Sequence, residues 1–188
     1  RTQAELQIEA LAIPDVKILT PRRFADARGF FSETFNERNW REAGFDAHFV
    51  QDNHAYSAEK SVVRGLHFQL PPSAQGKLVR VTRGAILDVA VDIRRASPTF
   101  GKHITATISA ENWRQIWVPP GFAHGYVTLE EHTEVIYKVT NAYAPAHDRG
   151  IRWNDPALGI EWGVTDSAAI LSDKDRKQPL LADVADLF

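Results

Sequence analysis

Apolar and polar side chains alternate in short runs along this chain, and only β-strands sort alternating residues onto two faces. The alternation predicts strands at 16–19, 30–35, 78–82, 86–93, 103–109, 116–118, 126–129 and 134–139, and residues 63–69 read as a further strand. Arg83-Gly84, Ser97-Pro98, Pro119-Pro120-Gly121 and Ala144-Pro145 are turn signals between these runs. They come too close together for helical crossovers, so the sheets are expected to be mainly antiparallel. One helix is predicted near the N-terminus: Asn36 can cap it, Glu37 suits its first turn, Trp40 and Ala43 share a face, and Gly44 can end it. Beyond Asp155-Pro156 the strand rhythm stops, and residues 156–188 are expected to pack on the body as short turns and helices.

Many short strands with close turns make a sandwich, jelly roll or barrel. In 86–93, Leu87, Val89, Val91 and Ile93 fall on one face, leaving Ile86, Asp88, Ala90 and Asp92 on the other. Carboxylates among apolar neighbours fit either a wetted face or the interior of a barrel that holds a polar ligand.

The 188 residues, 44% hydrophobic and 24% charged, suit one globular domain over 1–188, and no repeat or linker divides them. No window approaches the roughly 18 apolar residues of a membrane helix, and the formal charge of -2 offers no basic field for a nucleic-acid polymer. The absence of Cys removes disulfides, thiolate ligands and Cys nucleophiles, and it suits a cytoplasmic location. The chain opens at Arg1 without any Met, so a trimmed start is expected, and no basic-then-apolar leader follows.

Two segments carry candidate chemistry. By simple alternation, Arg64, Leu66 and Phe68 share one face of the strand at 63–69, and His67 and Gln69 share the other. Residues 118–125 contain Pro119-x-Gly121-x-x-His124, the shape of the second metal motif of cupin jelly rolls. A metal cupin also needs an H-x-H pair and a following Glu, because a divalent transition metal gathers several imidazoles and a carboxylate. Here the pair reads His67-x-Gln69, and Ser73 and Ala74 stand where the Glu is expected. A metal-free site is therefore predicted, with an acid–base pair as its chemistry.

A longer ordered set extends from about Val16 to Asp175: Asp26-x-Arg28-Gly29-Phe30-Phe31-x-Glu33, Gln51-x-Asn53, Arg64 to Gln69, Lys77 to Val81, Gly121 to Gly125, Tyr137-Lys138-x-Thr140-Asn141-x-Tyr143 and Ser172-x-Lys174-Asp175. Together these motifs resemble the dTDP-4-dehydrorhamnose 3,5-epimerase family. The resemblance implies a mainly β, cupin-type jelly roll with a few short peripheral helices, usually a homodimer. It also implies a cofactor-free enzyme that inverts C3, C5 or both in a dTDP-4-keto-6-deoxyglucose for deoxysugar synthesis.

Carried over by position, His67 is the base, Asp175 the carboxylate that orients it, Tyr137 the acid on the opposite sugar face, and Lys77 the cation facing the developing enolate. Arg28, Arg64, Gln51 and Asn53 resemble residues lining the nucleotide site, with Phe30 or Phe31 as packing partners, and the resemblance adds Glu33, His124 and Tyr143 to the substrate-binding set. In that family part of the nucleotide pocket comes from the neighbouring subunit.

A proton beside a ketone is only weakly acidic, so the base must be positioned and the enolate oxygen must meet a fixed donor or cation. Inversion further requires a second group on the other face. Rival assignments stay open at this level. Tyr143 lies an even number of positions beyond Tyr137; Asp88, Asp92 and Asp173 compete with Asp175; His124 suits a structural hydrogen bond as well as a site role. Ala55 stands where Ser is common in the family, and Tyr126 where Phe is frequent. Two other functions compete with the epimerase: a sugar-nucleotide-binding module without turnover, which would not need His67, Tyr137 and Lys77 together, and a metal-dependent cupin oxygenase.

Overall fold

A computed structural model describes residues 6–188. In chain order the elements are β1 (Leu6–Ala10), β2 (Lys17–Pro21), β3 (Phe24–Asp26), β4 (Gly29–Phe31), α1 (Glu37–Glu42), β5 (Gln51–Ser57), β6 (Val63–Gln69), β7 (Lys77–Arg83), β8 (Ala85–Asp92), β9 (His103–Ser109), β10 (Gln115–Val118), β11 (Phe122–Thr128), β12 (Thr133–Val139), β13 (Asp148–Gly150) and α2 (Asp173–Arg176). A six-stranded sheet runs β1-β2-β10-β7-β12-β5 and a five-stranded sheet runs β13-β6-β11-β8-β9. Their strand pairs are antiparallel, as the close turn spacing requires. This is the cupin-type jelly roll expected from the sequence.

Three apolar clusters divide the packing. Ile18, Val79, Ile86, Ala90, Ile108, Ile116 and Tyr126 meet between the two sheets. The outer face of the five-stranded sheet presents Leu66, Phe68, Val89, Val91 and Ile93, which the C-terminal segment covers with Leu158, Trp162, Ala169 and Val184. On the other side, Trp40 of α1 and Phe45 pack over Leu19 and Leu78. The Asn36 side chain accepts the Asn39 N–H at 2.9 Å, capping α1 as predicted.

The mixed face of β8 is not wetted. Asp88 and Asp92 are fully buried, and Leu87, Val89, Val91 and Ile93 lie under the C-terminal segment. Asp92 is consumed structurally, since it accepts from Arg94, Ser97 and Thr99. Asp88 points at His124.

Several element boundaries differ from the alternation. The run at 30–35 is a strand only through Phe31; beyond it Trp113 Nε1 donates to Ser32 and Gln115 donates to the Thr34 carbonyl, so side chains replace the ladder. β11 begins at Phe122, earlier than the predicted 126, because the Pro-Gly turn signal hid its first residues. β5 was absent from the prediction. Its inward residues are Gln51, Asn53 and Ala55 and its outward residues Asp52, His54 and Tyr56, so neither face is an apolar stripe. Among the described residues no helix is long and apolar enough to cross a membrane.

Candidate active site

Simple alternation fails at Gly65, and that failure builds the site. His67 pairs with His124 across β6 and β11, whereas Arg64 pairs with Tyr126, so β6 carries one extra residue between the two pairs. The bulge turns Arg64 to the face of His67, away from Leu66 and Phe68, which stay in the apolar layer. Gly65 adopts φ +130, and a Cβ there would stand 2.7 Å from Gly125 Cα and 2.8 Å from the His124 carbonyl oxygen. Gly65→Ala should therefore cost about 1–3 kcal/mol of stability, measured by denaturant unfolding. A variant as stable as its parent would show that this close approach is not required.

The C-terminal segment supplies the next component. Ser172 caps the short helix α2 by accepting the Asp175 N–H, and α2 turns Asp175 inward. Asp175 Oδ1 lies 2.6 Å from His67 Nε2, and Oδ2 accepts the Gly65 N–H at 3.1 Å. Burial pushes this carboxyl up, but the His67 bond, the Gly65 N–H and the Lys174 ammonium outweigh it and hold it below the usual carboxylate range. An ionised carboxylate only accepts, so Nε2 carries a ring proton, and in the neutral imidazole the lone pair is then on Nδ1. The rival carboxylates are excluded by position: Asp92 is bonded elsewhere, Asp173 is exposed, and Asp88 belongs to His124.

His67 opens into a polar cavity between the sheets, with one part of about 350 Å³ and an adjoining part of about 240 Å³. His67, Lys77, Tyr137 and Lys174 line both parts. Gln51, Asn53 and Tyr143 border the first, and Arg64 and His124 the second. A neighbouring hollow of about 370 Å³ on the six-stranded sheet shares Asn53 and Tyr137 with this cavity; Leu78, Arg80 and Lys138 line it as well, and neither His67 nor Lys77 does.

Burial raises the Tyr137 phenol above its ordinary value, against opposing effects from Asn53 and Arg64, so it holds its proton at neutral pH. Asn53 is its direct cross-strand neighbour. Tyr143, the rival, is 56% exposed at the cavity edge. Burial lowers Lys77 to about 8, opposed by Asp148 and Asp88, and its Nζ stands 5.9 Å from the centre of the Tyr137 ring. The cavity thus joins an oriented imidazole, a protonated phenol and a buried ammonium, the groups needed to remove and return a proton beside a carbonyl.

His124 Nε2 lies 2.7 Å from Asp88 Oδ2, while Asp88 Oδ1 has no hydrogen-bond partner among the described residues. Burial pushes the Asp88 carboxyl up despite His124 and Lys77. Gln69, at the place of a metal-binding imidazole, is buried: its Nε2 donates to the Ser73 and Ala142 carbonyls and its Oε1 accepts the Ala144 N–H. Among the described residues no three His, Asp or Glu side chains converge as a metal site.

Arg28, Phe30 and Glu33 do not line the cavity. Arg28 pairs with Asp26 on the β3–β4 hairpin, Phe30 packs edge-on against Trp113, and Glu33 accepts from Asn36 and Asn39 beside α1. Conversely, Asp148 and Lys174 line the cavity without having been assigned a role from the sequence. Asp148 gives no sequence signal, because β13 is a three-residue strand in a polar stretch.

Known proteins resemble this chain over nearly its whole length. The profile of the dTDP-4-dehydrorhamnose 3,5-epimerase family matches residues 10–183. The dTDP-4-dehydrorhamnose 3,5-epimerase of Pseudomonas aeruginosa is 55% identical over 179 residues, covering 95% of this chain and 97% of its own. The crystal structure of the Bacillus anthracis enzyme of that name, with TDP and PPi bound, superposes with a TM-score of 0.90 at 50% identity, covering 93% of this chain and 99% of that one. The dTDP-6-deoxy-D-glucose-3,5-epimerase of Legionella pneumophila, in complex with dTDP-4-keto-L-rhamnose, gives 0.90 at 42% identity, with 95% and 94% covered. The ordered motifs, the jelly roll and these full-length matches lead to one conclusion: the chain belongs to the dTDP-4-dehydrorhamnose 3,5-epimerase family.

Proposed function

We propose that the cavity inverts carbons beside the ketone of a dTDP-4-keto-6-deoxyhexose, in the synthesis of dTDP-L-rhamnose or a related deoxysugar. The observation that carries this reading is the His67–Asp175 pair at 2.6 Å opening onto the cavity that Tyr137 and Lys77 also line. His67 Nδ1 takes the carbon-bound proton, and Asp175 stabilises the imidazolium that results. Lys77 faces the enolate oxygen, and Tyr137 returns a proton from the other side of the ring. This chemistry needs no metal: Gln69 is committed to backbone groups and His124 to Asp88.

Gln51, Asn53, Arg64 and Tyr143 border the cavity and suit the nucleotide and diphosphate, with Arg64 supplying the cation. The hairpin residues fit the same role across a homodimer. Phe30 is 55% and Phe31 72% exposed, and Arg28 lies beside them on the hairpin, so a second copy's Arg28 and Phe30 would complete the nucleotide pocket, with Glu33 following them in the chain beside α1. The lack of Cys accords with a cytoplasmic setting.

A proton NMR time course with dTDP-4-keto-6-deoxyglucose in deuterated water tests the function. Deuterium should enter at C3, at C5 or at both, and epimerised product should accumulate. Binding of the nucleotide without exchange at either carbon would overturn the reading.

A further inference from the structure

A buried ammonium loses its water of solvation and holds its proton weakly unless an anion stands near it. Lys77 is only 8% exposed, and the proposed reaction uses it as a cation. Its surroundings contain two candidate anions, Asp88 on β8 and Asp148 on β13. His67 and Arg64 on β6, His124 and Tyr126 on β11, Tyr137 on β12, Tyr143 beyond it, and Lys174 and Asp175 of α2 complete the titratable and charged groups of the cavity among the described residues.

Asp88 is a poor candidate, because burial favours its neutral form and its bonded oxygen faces His124. Asp175 is committed to His67. Asp148 is the one carboxylate lining the wider part of the cavity, where Lys77 also lies. It is half-buried and pairs with Gln69 across β13 and β6, and its Oδ2 accepts from Lys174 Nζ at 2.8 Å. Lys174 is the exposed partner, with 62% of its side chain in solvent.

We propose that Asp148 is a positioning residue for the reaction: from the cavity wall its carboxylate keeps the Lys77 ammonium charged and directed at the enolate oxygen, while Lys174 competes for the same carboxylate. It acts through Lys77 and touches no reacting atom. The inference rests on the role of Lys77 given above. It assigns to β13 and to Lys174 a function that neither has as packing, since Asp148 and Lys174 form a rim pair that contributes little stability by itself.

The test compares pH profiles of kcat with direct titration of Lys77 by NMR of 15N-labelled lysine, its signal assigned with Lys77→Arg. In the parent, activity should fall as pH rises through about 8, where Lys77 gives up its proton. Tyr137 is pushed up by burial and does not set this limb. In Asp148→Asn the limb and the Lys77 titration should both move down by about one unit, leaving the variant about tenfold slower than its parent at pH 9. Asp148→Glu should restore both. Lys174→Gln should move them the opposite way, because the carboxylate loses its competing cation. A general loosening of the site would move both variants in one direction.

An Asp148→Asn profile and Lys77 titration at the parental position would overturn the proposal. If Asp148→Asn does not fold, Asp148→Ser carries the test with the same downward move expected, and a Lys77 titration at the parental position there would equally overturn the proposal. Parental activity in Lys77→Met would refute the catalytic role of Lys77 instead, and the NMR titration distinguishes that failure from this one.

Discussion

His67→Ala should abolish hydrogen exchange with solvent at both carbons beside the ketone, lowering the rate by about 100- to 10,000-fold, the contribution of a positioned general base. The expectation follows from the geometry of the cavity walls. Among its imidazoles, His124 is buried with Nε2 on Asp88, and His67 alone has Asp175 behind it with Nδ1 left free. Lys77 is a cation at neutral pH, and Tyr137 holds its proton. The Asp148 carboxylate on the same wall is held by Lys174, so among the described wall residues His67 is left as the base aimed at the substrate. Exchange is read carbon by carbon by NMR in deuterated water. Substantial exchange surviving at either carbon would reveal a second base, and the single-imidazole mechanism would fail.

Tyr137→Phe should separate two events that normally occur together. The variant keeps the dyad, so His67 still forms the enolate and returns deuterium from the face it came from. What it loses is delivery to the opposite face. Deuterium should therefore enter substrate of unchanged configuration faster than epimer appears, with inversion falling by the same order as a lost general acid, about 100- to 10,000-fold. Tyr143→Phe is the control, because its side chain lies mostly in solvent at the cavity edge. It should weaken binding and leave the ratio of exchange to inversion near the parental value. If Tyr143→Phe uncouples the two and Tyr137→Phe does not, the tyrosines have been assigned the wrong way round; if neither does, the two-face mechanism is wrong.

The antiparallel jelly roll was legible because the packing strands have one dry face. β8 and β9 announce themselves by alternation, and α1 by its cap. The strands that make the cavity are harder to read for the reason that makes them useful. β5 carries two amides and Ala55 inward and charged or aromatic residues outward, so no apolar stripe marks it, and the family motif around Gln51-x-Asn53 is its signal in the sequence. In β6, period-two logic placed Arg64 opposite His67, and the bulge at Gly65 reversed that relation. A bulge depends on the partner strand's backbone, here Gly125, which lies 60 positions away and leaves no local pattern. Asp175 was selected by its motif and not by any periodicity, since nothing in the sequence measures its distance from His67. Arg28, Phe30 and Glu33 came from the same motifs and lie outside the cavity of their own chain, a placement no single-chain pattern could forecast.

The bond between His67 and Asp175 joins positions 108 residues apart, one on a sheet strand and one on the segment laid over that sheet's outer side. Base and orienting group are therefore not a portable cassette. Grafting the Arg64–Gln69 stretch into another jelly roll would transplant an imidazole without the carboxylate that fixes its tautomer. A designer who wanted this dyad elsewhere would have to import the covering segment with its own apolar anchors, Trp162 and Leu158 among them, and make room for the glycine contact beneath. What looks like peripheral wrapping is, for the purpose of engineering, the second half of the reactive unit.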